Sequence, residues 1–109
     1  AVARQHICGN TTHLLPWMPR TGCEIIDLDH LVPLAQARTA MGPEPILLGN
    51  FDPVSALLDE TPAGVRAWCR QCHEWCGERH IIGPGCEVPP ATPRANIAAM
   101  GEYAQGARA

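Results

Sequence analysis

Ile46-Leu47-Leu48-Gly49-Asn50-Phe51-Asp52-Pro53 is the stretch on which the fold turns. Its continuous apolar run reads as a strand over 46–49 covered on both faces, because a half-exposed strand would alternate apolar with polar residues. Asn50 and Asp52 follow at once, in a polar loop that ends at Pro53. A buried strand, a polar loop and then a helix make the repeating unit of a parallel sheet, in which each strand returns through a crossover.

The same unit recurs on both sides. Upstream, residues 24–29 read as a strand that leaves through Asp27 and Asp29, and Leu34 to Met41 as a short helix stopped by Gly42-Pro43. Before them, residues 2–8 are a strand candidate weakened by Arg4 and Gln5. A short helix over 11–20 follows, with Thr11-Thr12 as its cap, Pro16 and Pro19 as irregularities and Thr21-Gly22 as its end. Downstream, Val54 to Leu58 reads as a helical turn. Thr61-Pro62 then opens the strongest helix, 62–76, with Thr61 as cap and Pro62 at the first position. A fourth strand over 80–83, a Pro- and Gly-rich loop over 84–90, a helix capped by Thr92 and begun by Pro93, and a frayed tail over 106–109 complete the chain.

Four consecutive strand–helix units predict an α/β chain equal to the C-terminal half of a (β/α)8 barrel, a fold whose full length is typically ~250 residues. A doubly wound open sheet is the rival architecture, but the sequence has no Gly-rich phosphate loop to support it. The barrel also explains why the notable polar residues (His6, Cys8, Asn10, Asp29, Asn50, Asp52 and Cys86) each follow a strand, since barrel enzymes build their sites at that end. The chain begins with Ala1, close to a strand that already carries candidate ligands, and this is read as the mark of a fragment.

The balance of 46% hydrophobic and 17% charged residues with a net charge of −3 is that of an ordinary globular domain. Its weakly acidic charge gives no reason to expect nucleic acid or an anionic membrane. No apolar run approaches the ~20 residues that span a bilayer, and no secretory signal precedes the first strand. A cytoplasmic location with six reduced cysteines is therefore the expectation. All eight basic residues are Arg, which excludes lysine chemistry within the segment.

His6-Ile7-Cys8-Gly9-Asn10 carries the chemistry. In a strand, His6 and Cys8 share a face. Cys86, held between Gly85 and Glu87 after the fourth strand, is the natural third ligand. One imidazole and two thiolates leave the fourth position of a tetrahedral zinc open, as catalytic sites do. Two thiolates cancel the metal charge, and a substrate thiol entering the open position would lose its proton there. Ordinary buried cysteines and a hydrogen-bonded histidine remain the plain structural alternative. Cys69-Arg70-Gln71-Cys72-His73 fits the haem-attachment pattern, but Cys69, Cys72 and Cys76 also form the buried stripe of an amphipathic helix. Alternation places Asp27 and Asp29 on one strand face, opposite Leu28. Asp29, nearer the carboxyl end, is the better site candidate, with a backbone cap as its structural alternative, and Asn50 can likewise serve a turn.

The segments 6–12, 25–29, 48–53, 83–89 and 92–97 stand in the order seen in the uroporphyrinogen decarboxylase superfamily, and the chain resembles the carboxyl-terminal half of that family's barrel. Within the superfamily it is similar to the cobalamin-dependent methyltransferase branch. The resemblance implies Zn2+ held by His6, Cys8 and Cys86, with Asp29 and Asn50 lining the mouth. It also implies a small-molecule thiol or methylated substrate, and methylcobalamin carried on a partner corrinoid protein. The alternatives are a uroporphyrinogen decarboxylase of tetrapyrrole biosynthesis and an inactive half-barrel that self-associates. The true decarboxylases lack the paired cysteines and carry a Gly-His-Gly-type loop near the position of Cys86. Pro33 departs from the family, where an acidic residue is common, and the three helix cysteines are not a family motif.

Overall fold

Residues 1–106 are described by a computed structural model. Strands β1 (Arg4–Ile7), β2 (Ile25–Leu28), β3 (Ile46–Leu48) and β4 (His80–Ile81) lie side by side in chain order. Every neighbouring pair is parallel. Helices α1 (Leu34–Met41), α2 (Pro62–Cys76) and α3 (Arg94–Gly106) follow β2, β3 and β4. This is the expected succession of four βα units, half of a (β/α)8 barrel.

The register explains the two faces. His6 pairs with Asp27, and Asp27 with Leu48, so these side chains project from one face with Ile81, the partner of Leu48. Ile26, Leu28 and Leu47 project from the other and are completely buried. That second face packs under the helices, where Leu34, Ala37, Val65, Cys69, Cys72 and Cys76 complete the core. The stripe of three cysteines is thus helix packing. All six cysteines are free thiols.

Several local expectations are corrected. β1 runs through Arg4 and Gln5 rather than being broken by them, because backbone pairing with β2 decides an edge strand more than side-chain propensity does. The 11–20 segment is two 3₁₀ turns, Thr12–Leu14 and Met18–Thr21, separated where Pro16 withholds a donor. Thr11 does not cap the first: the Asn10 carboxamide oxygen accepts the Thr12 amide at 3.0 Å instead. The strands are shorter than expected, β4 most of all. Val54–Leu58 is a single π-helical turn. Thr61 caps α2 as expected, its hydroxyl accepting the Gly64 amide at 3.2 Å. Thr92 does not cap α3, whose start is held by Pro93; the Thr92 hydroxyl has no partner among the described residues. Gly106 belongs to α3, and the rest of the expected frayed tail lies outside the described residues.

Candidate functional site

The site begins with a loop that doubles back. β1 and β4 are opposite edges of the sheet, yet Cys86 stands beside Cys8. The path runs through Pro84, which bridges to Phe51, and through the Gly85 amide, which donates to the Phe51 carbonyl at 2.9 Å. Gly85 then lies flat on the backbone after β2: a Cβ there would stand 2.7 Å from the His30 Cα and 2.9 Å from the Asp29 carbonyl carbon. Only a residue without a side chain lets the loop pass this low and deliver Cys86 above β1.

The three candidate ligands consequently lie in one neighbourhood. His6 Nε2 lies 3.2 Å from Cys8 Sγ, and Cys86 is near enough to Cys8 to raise its thiol. Arg4, His6, Asp27, Pro84, Cys86 and Glu87 line a cleft of about 230 Å³. Tetrahedral zinc with the usual Zn–N and Zn–S bonds would hold nitrogen and sulfur about 3.5 Å apart. The side chains of the described residues do not converge as a metal-holding group of three; the His6–Cys8 pair alone is within a few tenths of an ångström of that spacing. One imidazole and two thiols fit the chemistry of zinc. The electrostatics point the same way: desolvation, the Cys86 thiol and the carboxylates of Asp29 and Asp27 all push the Cys8 thiol above its ordinary value. A site that resists gaining negative charge on its own is relieved by a cation.

Asp29 is almost completely buried, at 4% exposure. One carboxylate oxygen accepts the Gly9 amide and the other the Leu31 amide, each at 3.0 Å. His30 Nδ1 stands 3.1 Å away. Burial would raise its pKa, but the two amides and the positive field of His30 and His6 outweigh it and hold the carboxyl below the ordinary range. Asp29 thereby ties the turn after Cys8 to the end of β2. Asn50, also buried, donates to the carbonyls of Asp29 (2.9 Å) and Val32 (2.5 Å). Both residues follow strand ends, and their polar groups are committed to holding backbone.

The contacts of three residues escaped the sequence reading. Arg38 donates to four backbone carbonyls, those of Gly42, Pro45, Cys76 and Arg79, and so locks the far end of the helix layer. Asn96, 1% exposed, donates to the Leu57 and Glu60 carbonyls and anchors α3. Asp27 is the partner of His6, at 3.3 Å from Nδ1. The parity argument placed it on the correct face, but only the register β1 against β2 makes it face His6.

Comparison with known proteins fits this geometry. The model of the family described as uroporphyrinogen decarboxylase (URO-D) matches residues 4–106. The methylcobamide:CoM methyltransferase MtbA of Methanosarcina mazei is 38% identical over 94% of this chain. The methylated-thiol–coenzyme M methyltransferase of the same organism is 31% identical over 86%, and the uroporphyrinogen decarboxylase of Frankia casuarinae 32% identical over 96%. A solved methyltransferase structure from Methanosarcina mazei superposes on the whole chain with a TM-score of 0.86 at 25% identity, and the chain covers 32% of it. The chain spans 25–30% of the length of these curated relatives. A match over nearly every described residue, on the same fold, means that the chain belongs to the uroporphyrinogen decarboxylase (URO-D) family.

Proposed function

We propose that this chain is part of a zinc-dependent methyltransferase that moves a methyl group between a corrinoid protein and a small thiol. The observation that carries the reading is that His6 stands 3.2 Å from Cys8 while a loop from the opposite edge of the sheet brings Cys86 into the cleft that His6 lines. Relatives named as methylcobamide and methylated-thiol methyltransferases support it. His6 Nε2 and the sulfurs of Cys8 and Cys86 would hold zinc, which supplies Lewis-acid activation of an incoming thiol when bound. The chain's own part is to present one neutral and two anionic donors and to leave one position open. Asp29 fixes the Cys8–Gly9 turn, and Asn50 fixes the backbone beneath Cys86 through Asp29 and Val32. The corrinoid partner and the cytoplasmic setting belong to the same reading.

Elemental analysis of the purified full-length protein, repeated on Cys86→Ala, tests it. The parent is expected to hold one zinc and the variant much less. Methyl transfer from methylcobalamin to a thiol such as coenzyme M, followed by the cobalamin spectrum, should be lost with the metal. A parent without zinc that releases carbon dioxide from uroporphyrinogen would establish the decarboxylase alternative, which the Frankia relative represents.

A further inference from the structure

Asp27 lines the cleft but is given no part in holding zinc or its backbone above, yet its surroundings are those of a working residue. It is a carboxylate at 8% exposure, in the middle of a strand. Its ion-pair partners among the described residues are His6 and Arg4. Arg4 approaches the same carboxylate oxygen only to 3.8 Å, with a side chain 60% exposed. A contact of that length at the surface does little to offset the burial of a carboxylate. His6 Nδ1, at 3.3 Å from that oxygen, is the closer partner. The two residues are also directly paired in the sheet, so carboxylate and imidazole rise side by side from backbones whose spacing is fixed by the ladder.

We infer that Asp27 is a positioning residue for His6, setting which ring nitrogen faces the cleft. This rests on the metal-site reading above. A neutral imidazole carries one proton on one of two nitrogens. A carboxylate is an acceptor only, so the nitrogen beside Asp27 is the one that keeps the proton. The other, Nε2, lies 3.2 Å from the Cys8 sulfur and is left with its lone pair turned toward Cys8 and Cys86. Without Asp27 the ring can carry its proton on Nε2, and a donor then points where a ligand is needed. Orientation of a ligating histidine by a carboxylate behind it typically accounts for 10–100-fold in metal affinity.

The test uses the purified full-length protein, Asp27→Ala, Asp27→Asn and, as a control, Asp52→Ala. Zinc affinity is measured by competition with a chromophoric chelator, and the tautomer of His6 in metal-free protein by ¹⁵N–¹H correlation of its imidazole. The parent is expected to show the Nδ1–H tautomer. Asp27→Ala should lose about 10–100-fold in zinc affinity and shift toward Nε2–H. Asp27→Asn, which keeps an acceptor oxygen without the charge, should fall between, and Asp52→Ala should match the parent. Affinity within twofold of the parent in folded Asp27→Ala, or a parent tautomer already Nε2–H, overturns the inference. Should Asp27→Ala not fold, Asp27→Asn and the parent tautomer decide it. A parent that binds no zinc overturns the metal site itself, and the tautomer then still decides whether Asp27 orients the ring.

Discussion

Gly85 is the residue at which one methyl group would undo the site. Its missing side chain lets the loop lie on the backbone of Asp29 and His30, and neither neighbour can yield, because Asp29 is tied by Gly9, Leu31 and Asn50. Gly85→Ala is expected to cost about 1–3 kcal/mol of stability by overpacking and to lift Cys86 away from Cys8. A lowered urea midpoint together with lost zinc checks both. Two buried groups also set a pH dependence. Burial, then the nearby charges of His73 and Arg38, hold His80 below its ordinary value of 6.5, against a hydrogen bond to the Gly49 carbonyl. With the folded pKa lowered, the unfolded chain binds the proton first, so this stability is complete above 6.5 and is lost as the pH falls toward the folded value. Asp29 acts lower down: its contribution is present above the ordinary carboxyl value of 3.8 and disappears as the pH drops through the depressed one. Urea midpoints in the presence of a chelator should therefore fall in two stages, with His80→Gln removing the first and Asp29→Asn the second.

The helix α2 shows how far pattern alone reaches. Its cap, its proline start and a buried stripe of Val65, Cys69, Cys72 and Cys76 follow from sequence spacing and are present in the structure, whereas Trp68, expected on the same stripe, is 38% exposed. Burial pushes the Cys69 thiol up to about 12 and raises Cys72 and Cys76, so these thiols are unreactive while the helix is packed. Metal-free native protein treated with a thiol reagent is expected to label Cys8, Cys23 and Cys86, with the three helix cysteines labelling only on unfolding; mass spectrometry of the peptides checks it. The segment after β1 was less legible, since prolines, and a carboxamide cap from the residue before the expected one, are matters of local geometry rather than of period. The site divides in the same way. His6, Cys8 and Cys86 stand out as candidates because residue type and strand position announce them. The role of Asp27 could not be read, because it depends on register between strands, and neither could the Gly85 crossing, which depends on a loop passing over two neighbouring strands.

For the molecule as a whole, the sheet has one finished side and one open side. Ile26, Leu28 and Leu47 are sealed under the helices, whereas Ile25, Ile46, Leu48 and Ile81 on the other face remain partly exposed, Ile81 by 39%. Apolar surface of this kind, next to the outer edge of β1, favours association. The 109-residue chain prepared alone is therefore expected to self-associate, and Leu48→Lys with Ile81→Lys to shift it toward monomer; sedimentation velocity checks it, and a stable monomer of the parent would speak against it.

The crossing of the loop after β4 has a consequence for the order of assembly. The thiol that completes the site comes from near one end of the described chain and its partners from near the other. Bringing them together closes a long loop, an entropically demanding kind of contact that tends to form late. A nascent or clipped chain that stops short of residue 86 carries His6 and Cys8 but lacks the third donor. On the proposed zinc reading, competence to hold the ion arrives only when every intervening strand is in place, and occupancy becomes a readout of whether folding has finished.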